Sequence, residues 1–424
     1  MKWSLVMFDQ SEDLKDVRCV VVTNNNFAAA SGGGVLLRTL FSEFDQTEIL
    51  NIHYDEFPSG QMNSGPLRYR AMVQKWPVAW LELCFKFMSY FLRSALALRP
   101  VSRADLIHIY MSSVWPPHRE IAGLCDRGLS PSVIYCWPGD QVTVRFVEAL
   151  RKTFDARVIL HFMDNHIDFE LIKAVDKVVQ PAFVADVHTL AKTASCLMAI
   201  SNSMAYRFTS LFGRPFSVFN APIDLAEFKV PENSGKLADF RLAYIGTLGG
   251  RQTESFLSVV TAIQGLWGDG LPISLDAYLG DDDLQRIQSR LSNVRGVKLF
   301  PHPTFRDMPA LLSECDALLM VYDFSKSARD HFRFSFPAKA PLYMASKRPI
   351  FAVGPADIEP MAFLSRHDCA CVCNSAEPHS IAGQLKHFTT HEDLRSSLVA
   401  KAFEVCESDH DRVEQSNRFK RAFN

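Results

Sequence analysis

Short apolar runs recur along the chain, each followed by a small polar loop and then by a stretch whose apolar positions repeat at helical spacing. The runs are continuous rather than alternating, the mark of strands covered on both faces in a parallel sheet. Residues 17–23 are a predicted buried strand, 24–34 a loop of Gly, Ala, Ser and Asn, and 35–44 a helix. Further strands are predicted at 106–110, 132–136, 158–162 and 196–200, with helices at 141–153 and 204–211. Pro222, Pro231, Asn233 and Gly235 then cluster in a linker over 220–235. The rhythm restarts with strands at 241–245, 273–279, 297–300, 317–322 and 349–353, and with helices at 254–266, 308–313 and 337–345. Strands alternating with helices predict two doubly wound α/β halves. Such halves bind ligands beyond their strand carboxyl ends, so the expected site is a cleft between them.

Length agrees with this division, since 424 residues are too many for one ordinary core and suit two domains of about 200. The expected bounds are 1–222 and 236–404, with 405–424 a basic, amphipathic tail. An apolar fraction of 48% and a charged fraction of 22% are globular. The formal charge of −2 gives no support to bulk nucleic-acid binding. Ten cysteines without a disulfide-like framework or a completed metal-ligand set read as reduced thiols. The amino terminus meets acidic residues too early for a signal peptide, so the expected location is the cytoplasmic side. Residues 67–103 interleave Trp76, Trp80, Phe85, Phe87, Tyr90 and Phe91 with seven Lys and Arg. Glu82, Lys86 and Arg93 deny this stretch the run of about 20 apolar residues that spanning requires. It suits an interfacial helix at the inner face of an anionic membrane, or a helix pair packed on the first domain, and the two readings are compatible.

The densest chemistry lies in 334–355, FSFPAKAPLYMASKRPIFAVGP. Ser335 offers a hydroxyl, Pro337 presets the first helical turn, and Lys339 projects a cation beside helix-end amides, a combination suited to a diphosphate. Leu342 and Tyr343 continue the helix. Gly33 and Gly34 remove side chains where the backbone would approach a ligand at the start of the first helix. Gly246 and Arg251 occupy the corresponding loop of the second half, where Arg251 could grip phosphates bidentately. His161 and Asp164 stand at the end of a predicted strand, and His302 follows another.

In order and spacing these segments resemble the retaining family-four glycosyltransferases of GT-B fold. The resemblance runs through SGGGVLLRTL, CLMAISNSMAYRF, FNAPID, LAYIGTLGGR, ECDALLMVY and the Ser-x-Pro-x-Lys segment. It implies two Rossmann-like domains facing a cleft, with the last helix returning to the first domain. It also implies a nucleotide-sugar donor, a glycan or lipid-linked acceptor, and donor contacts from Gly33, Gly34, Gly246, Arg251, His302, Ser335, Lys339, Leu342 and Tyr343. The family's catalytic histidine has its counterpart near His161 and Asp164, although the usual His-Asp pair stands here as Met163-Asp164. No cofactor and no metal are expected, because side-chain cations take the charge; the run Asp281 to Asp283 reads as a solvated turn.

Two glutamates of the family pattern, eight positions apart, fall at Phe334 and Leu342. Losing the ribose-contacting acid removes a charge-assisted hydrogen bond of roughly 1.5–3 kcal/mol. A second phosphate-binding lysine is also absent after Arg251. These departures keep open a non-catalytic GT-B scaffold or regulatory subunit beside the leading expectation, a nucleotide-sugar-dependent glycosyltransferase. A dinucleotide oxidoreductase is disfavoured, since GTLGGR lacks the full glycine spacing and Leu279-Gly280 stands where a ribose-binding acid belongs.

Overall fold

The computed structural model describes residues 13–23, 32–53, 68–71, 118–165, 167, 176–228, 239–291 and 294–424. The chain forms two compact units, residues 1–219 with 419–424, and residues 220–418. The first unit thus ends three residues before the expected 222, and 405–418 stay with the second.

The first unit is built on a seven-stranded parallel sheet, β3-β2-β1-β4-β5-β6-β7. Its strands are β1 (Cys19–Thr23), β2 (Ile49–His53), β3 (Arg68–Ala71), β4 (Val133–Cys136), β5 (Arg157–Phe162), β6 (Cys196–Ala199) and β7 (Ser217–Val218). Every residue of β1 and β4 is buried, as their unbroken apolar runs require. The helices are α1 (Gly32–Leu40), α2 (His118–Cys125), α3 (Gln141–Phe154), α4 (Asp176–Thr193) and α5 (Asn202–Phe212). Helix α3 starts where Asp140 accepts the Thr143 amide at 2.9 Å. Helix α5 starts where Ser201 Oγ accepts the Met204 amide at 3.1 Å, and Gly213 ends it at φ 66°. Strands β2 and β3 were not anticipated, and β3 occupies the start of the aromatic and basic stretch 67–103. The rest of that stretch and the expected strand 106–110 lie outside the described residues.

The second unit carries a six-stranded parallel sheet, β10-β9-β8-β11-β12-β13. Its strands are β8 (Phe240–Ile245), β9 (Ile273–Leu279), β10 (Val297–Pro301), β11 (Ala317–Val321), β12 (Ile350–Val353) and β13 (Cys371–Cys373). Its helices are α6 (Thr253–Gly268), α7 (Asp281–Leu291), α8 (Met308–Ser313), α9 (Lys326–Phe332), α10 (Lys339–Ala345), α11 (Glu359–Arg366), α12 (Pro378–Thr390), α13 (Glu392–His410) and α14 (Arg412–Arg421), whose end enters the first unit. The acidic run at 281–283 opens α7 instead of forming a solvated turn, and its buried member Asp283 is 7% exposed. Three carboxylates in a first helical turn complement the helix dipole. The described part of the expected linker, 220–228, belongs to this unit: Ile223 pairs with Asp411, its amide 2.8 Å from the His410 carbonyl. Arg412 Nε closes the junction on Asp224 at 3.0 Å.

Residues 419–424 are held in the first unit by aromatic packing. Phe419 meets Phe41 edge-on at 5.1 Å between ring centroids, and Phe423 stacks on Tyr135 at 6.1 Å. Arg157 adds hydrogen bonds of 2.9 and 2.6 Å to the carbonyls of Asn424 and Phe423. Among the described residues no helix is long and apolar enough to cross a membrane.

Candidate functional site

Strand order reverses between β8 and β11, the position where an open parallel sheet leaves a crevice at its carboxyl ends. The two strands register only at Leu242 and Ala243 against Ala317 and Leu318, and beyond that they part. Gly246 turns the chain out of β8 at φ 134°, a conformation side chains oppose. The loop it opens is bound at four points. Tyr244 Oη donates to the Thr247 carbonyl at 2.7 Å, and the Leu248 amide donates to Asp283 at 2.7 Å. Thr253 Oγ1 and Arg286 reach the Gly249 carbonyl at 2.7 and 3.0 Å. Asp283 is in turn paired with Arg286. The shape of the loop is therefore held by the protein's own hydrogen bonds.

Lys339, the first residue of α10, brings its ammonium to this loop. Nζ lies 3.4 Å from Tyr244 Oη and 4.5 Å from the centre of the Tyr244 ring. A Cβ added at Gly246 would sit 3.5 Å from Nζ, in ordinary contact, so the cation lies directly against this turn, and it is the φ of 134° that calls for glycine. No carboxylate pairs with Lys339 among the described residues, and burial lowers its pKa to about 8. On the other strand, Asp323 follows β11 and anchors the far end of the loop. Its amide donates to the Arg251 carbonyl at 2.9 Å, and its carboxylate receives the Ser255 amide at 2.8 Å. The Arg251 side chain is exposed and makes no ion pair among the described residues. Lys339 at the fork and the exposed Arg251 at the end of the same loop thus stand on segments that the sheet joins, and a diphosphate is the class of ligand that two such cations suit.

The structure brings Gly246, Lys339 and Tyr343 together at the fork, while Arg251 is tied through its backbone carbonyl to Asp323 at the far end of the loop. Tyr343 is fully buried and supports the fork from below: its hydroxyl accepts the Ile245 amide at 2.9 Å. Leu342, 6% exposed, packs in the same helix as core. Ser335 is buried, and its hydroxyl proton goes to the His331 carbonyl at 3.0 Å, so it fixes the turn ahead of α10 and has no proton to give a phosphate. Helix α10 starts at Lys339, leaving Pro337 outside it. His302 is exposed after β10 with Nδ1 turned to the Pro303 carbonyl at 2.8 Å, away from the fork in sequence and contacts.

Gly33, Gly34, His161 and Asp164 belong to the first unit, at the start of α1 and the carboxyl end of β5. Gly34 is buried, Gly33 half-buried and Asp164 half-buried. The catalytic expectation for His161 is corrected by its surroundings. The ring is fully buried, Nδ1 accepts from Tyr135 Oη at 2.8 Å, and Nε2–H donates to the Phe219 carbonyl at 2.9 Å. Burial lowers its pKa to about 3, which keeps it neutral with no nitrogen left for a substrate. Sequence reasoning missed Tyr244, Asp283, Arg286 and Asp323. Tyr244 stands two positions before Gly246 in an apolar strand, which reads as core.

No family model and no curated protein matches the chain. Solved structures do. HepE from Anabaena, in complex with UDP and glucose, aligns with a TM-score of 0.63 at 12% identity, covering 96% of this chain and 98% of its own. Sucrose-phosphate synthase from Thermosynechococcus elongatus aligns at 0.68 and 10% identity, with 96% and 98% covered. The E. coli trehalose-6-phosphate protein bound with UDP-2-fluoro glucose aligns at 0.59 and 12%, with 96% and 98% covered. The chain has the GT-B fold. In GT-B terms the fork between β8 and β11 is the switch point of the second Rossmann-like sheet. It is where Lys339 and the loop from Gly246 to Arg251 meet.

Proposed function

We propose that the chain is a glycosyltransferase that takes a sugar from a nucleotide-sugar donor and transfers it, with retention, to a glycan or lipid-linked acceptor. The observation that carries this reading is the Lys339 ammonium, seated 3.4 Å from Tyr244 Oη without a carboxylate partner. Cations drawn partly out of water ordinarily pair, and this half-buried one, left open beside a well-bonded loop, favours an anion. Neighbouring GT-B structures hold UDP with glucose and UDP-2-fluoro glucose, which supports a sugar diphosphate as that anion. Lys339 and Arg251 would stabilise the charge that gathers on the leaving diphosphate as the glycosidic bond breaks, the largest contribution in sites of this kind. Charge neutralisation is assigned to side chains, so the reading calls for no metal. The basic, aromatic stretch 67–103 is offered as a peripheral contact with anionic lipid, tested by sedimentation with anionic vesicles at low and high salt.

Two observations favour a non-catalytic scaffold instead. Leu342 takes the place of an acid within the core, and His161 has no free nitrogen. Calorimetry with UDP, ADP, GDP and their sugars, followed by donor-hydrolysis and transfer assays, separates the two. A transferase binds one sugar nucleotide and turns it over, with affinity reduced roughly tenfold to a hundredfold in Lys339→Ala and in Arg251→Ala. Binding without turnover supports the scaffold, and a folded protein that binds none of them overturns the donor reading.

A further inference from the structure

Lys339 is held by a phenol. The Tyr244 ring lies 4.5 Å from Nζ, and its hydroxyl oxygen lies 3.4 Å away. That hydroxyl sends its proton in another direction, to the Thr247 carbonyl at 2.7 Å, which leaves oxygen lone pairs for the ammonium. One side chain therefore touches both cation-bearing elements: Lys339 directly, and the Arg251 loop through Thr247.

We propose that Tyr244 is the positioning residue of this diphosphate site, standing where an acidic partner to Lys339 would otherwise stand and so leaving the ammonium's charge uncompensated until an anionic ligand arrives. The inference rests on the donor reading above. A carboxylate beside Lys339 would neutralise it and compete with the ligand for its protons. A phenol orients the ammonium through its ring quadrupole and a neutral oxygen and cancels none of its charge. Tyr244 remains protonated, because burial and the nearby Tyr343, Tyr322, Asp283 and Asp323 push its pKa well up.

The consequence is that diphosphate capture is linked to a proton. The groups around the phenol are Tyr343 from α10, Tyr322 and Asp323 from the end of β11, and Asp283 from α7. Asp283 is occupied by Leu248 and Arg286, Asp323 receives Ser255, and none of them bonds Lys339. With burial unopposed, Lys339 loses its proton near pH 8 in the free site. Below that pH the site is charged and ready; above it, binding a diphosphate must first take up a proton.

The test is UDP affinity from pH 6.5 to 9.5 for wild type, Tyr244→Phe and Tyr244→Leu, with uridine, which has the same base and no phosphate, as the control. The rate at which the Lys339 amine is modified is followed by mass spectrometry in the ligand-free proteins. The ratio of wild-type UDP to uridine affinity is expected to fall about tenfold per pH unit above 8, the ratio cancelling the titration of the uracil base that both ligands share. Tyr244→Phe, which keeps the ring and loses the oxygen, shifts both the affinity midpoint and the amine titration to lower pH. Tyr244→Leu shifts them further. A uniform loss of affinity at every pH, with the amine titration unmoved, reduces Tyr244 to a structural residue and overturns the proposal. Should wild type bind no UDP, the donor reading fails by itself, and the amine titration still decides whether Tyr244 governs Lys339.

Discussion

The Tyr343 hydroxyl accepts the Ile245 amide at 2.9 Å, in the buried fork where β8 and β11 part. Neighbouring Gly246 donates to the Tyr278 carbonyl of β9, so alternate amides of β8 face the two sides and that of Ile245 faces the opening. Tyr343 fills a place the β11 ladder leaves vacant. Tyr343→Phe strands this amide at a cost of about 1–3 kcal/mol, expected to lower Tm by roughly 2–4 °C per kcal/mol. Scanning calorimetry checks the stability, and faster amide exchange across 244–247 checks the location.

Two histidines make the folded state sensitive to acid. Burial lowers His161 from 6.5 to about 3 and His410 from 6.5 to about 4. The unfolded chain binds these protons first as pH falls, so the stability they secure is present above 6.5 and lost on the way down to 4 and 3. Urea midpoints are expected to fall steeply between pH 6.5 and 4.5. His161→Phe removes part of that slope, while lowering stability at pH 7 because Tyr135 Oη and the Phe219 carbonyl lose their partner.

Lys339 works in the opposite sense. Its pKa drops from 10.5 to about 8 on folding, so between those values the unfolded chain holds the extra proton and stability rises with pH. Below 8 the folded protein carries the whole burden of a desolvated ammonium. Lys339→Met is expected to raise Tm at pH 7 by a few °C, at roughly 2–4 °C per kcal/mol, and to flatten stability between pH 8 and 10. An unchanged Tm and slope would show that the ammonium is well solvated.

The carboxyl-terminal segment is predicted to be structural. Phe419 touches Phe41, Phe44, Tyr135, His161 and Phe219, joining the turn after α1 to β4 and β5. Phe419→Ala is expected to cost about 3–5 kcal/mol as a core cavity. Deleting 419–424 should cost more and expose apolar surface, measured by dye binding and by a lower urea midpoint.

Much of this molecule was legible from local pattern. Strands such as 273–279 and helices such as 308–313 coincide with their expected limits, because a strand covered on both faces is mostly apolar and a helix repeats its apolar positions at a different period. Gly246, Arg251 and Lys339 were legible for a related reason: a glycine ending a buried strand and a cation opening a helix are local punctuation. Asp283 was misread since three successive aspartates suit a solvated turn and a first helical turn equally. Only the Leu248 amide and Arg286 distinguish them. Ser335 and Tyr343 were read as donor contacts, yet each bonds backbone of its own unit.

By itself the sequence determined the two parallel-sheet halves, the turn at Gly246 and the identity of the two cations, all properties of short windows whose apolar periodicity or backbone freedom admits one reading. Tertiary structure decided which polar groups remain available. His161 ends a strand that could present it either way, and Phe219, 58 residues on, closes its second nitrogen. Lys339 and Tyr244 are 95 residues apart, and their meeting leaves the cation without an acid. Availability is a matter of desolvation and partner geometry in three dimensions, and no window of sequence contains both members of these pairs.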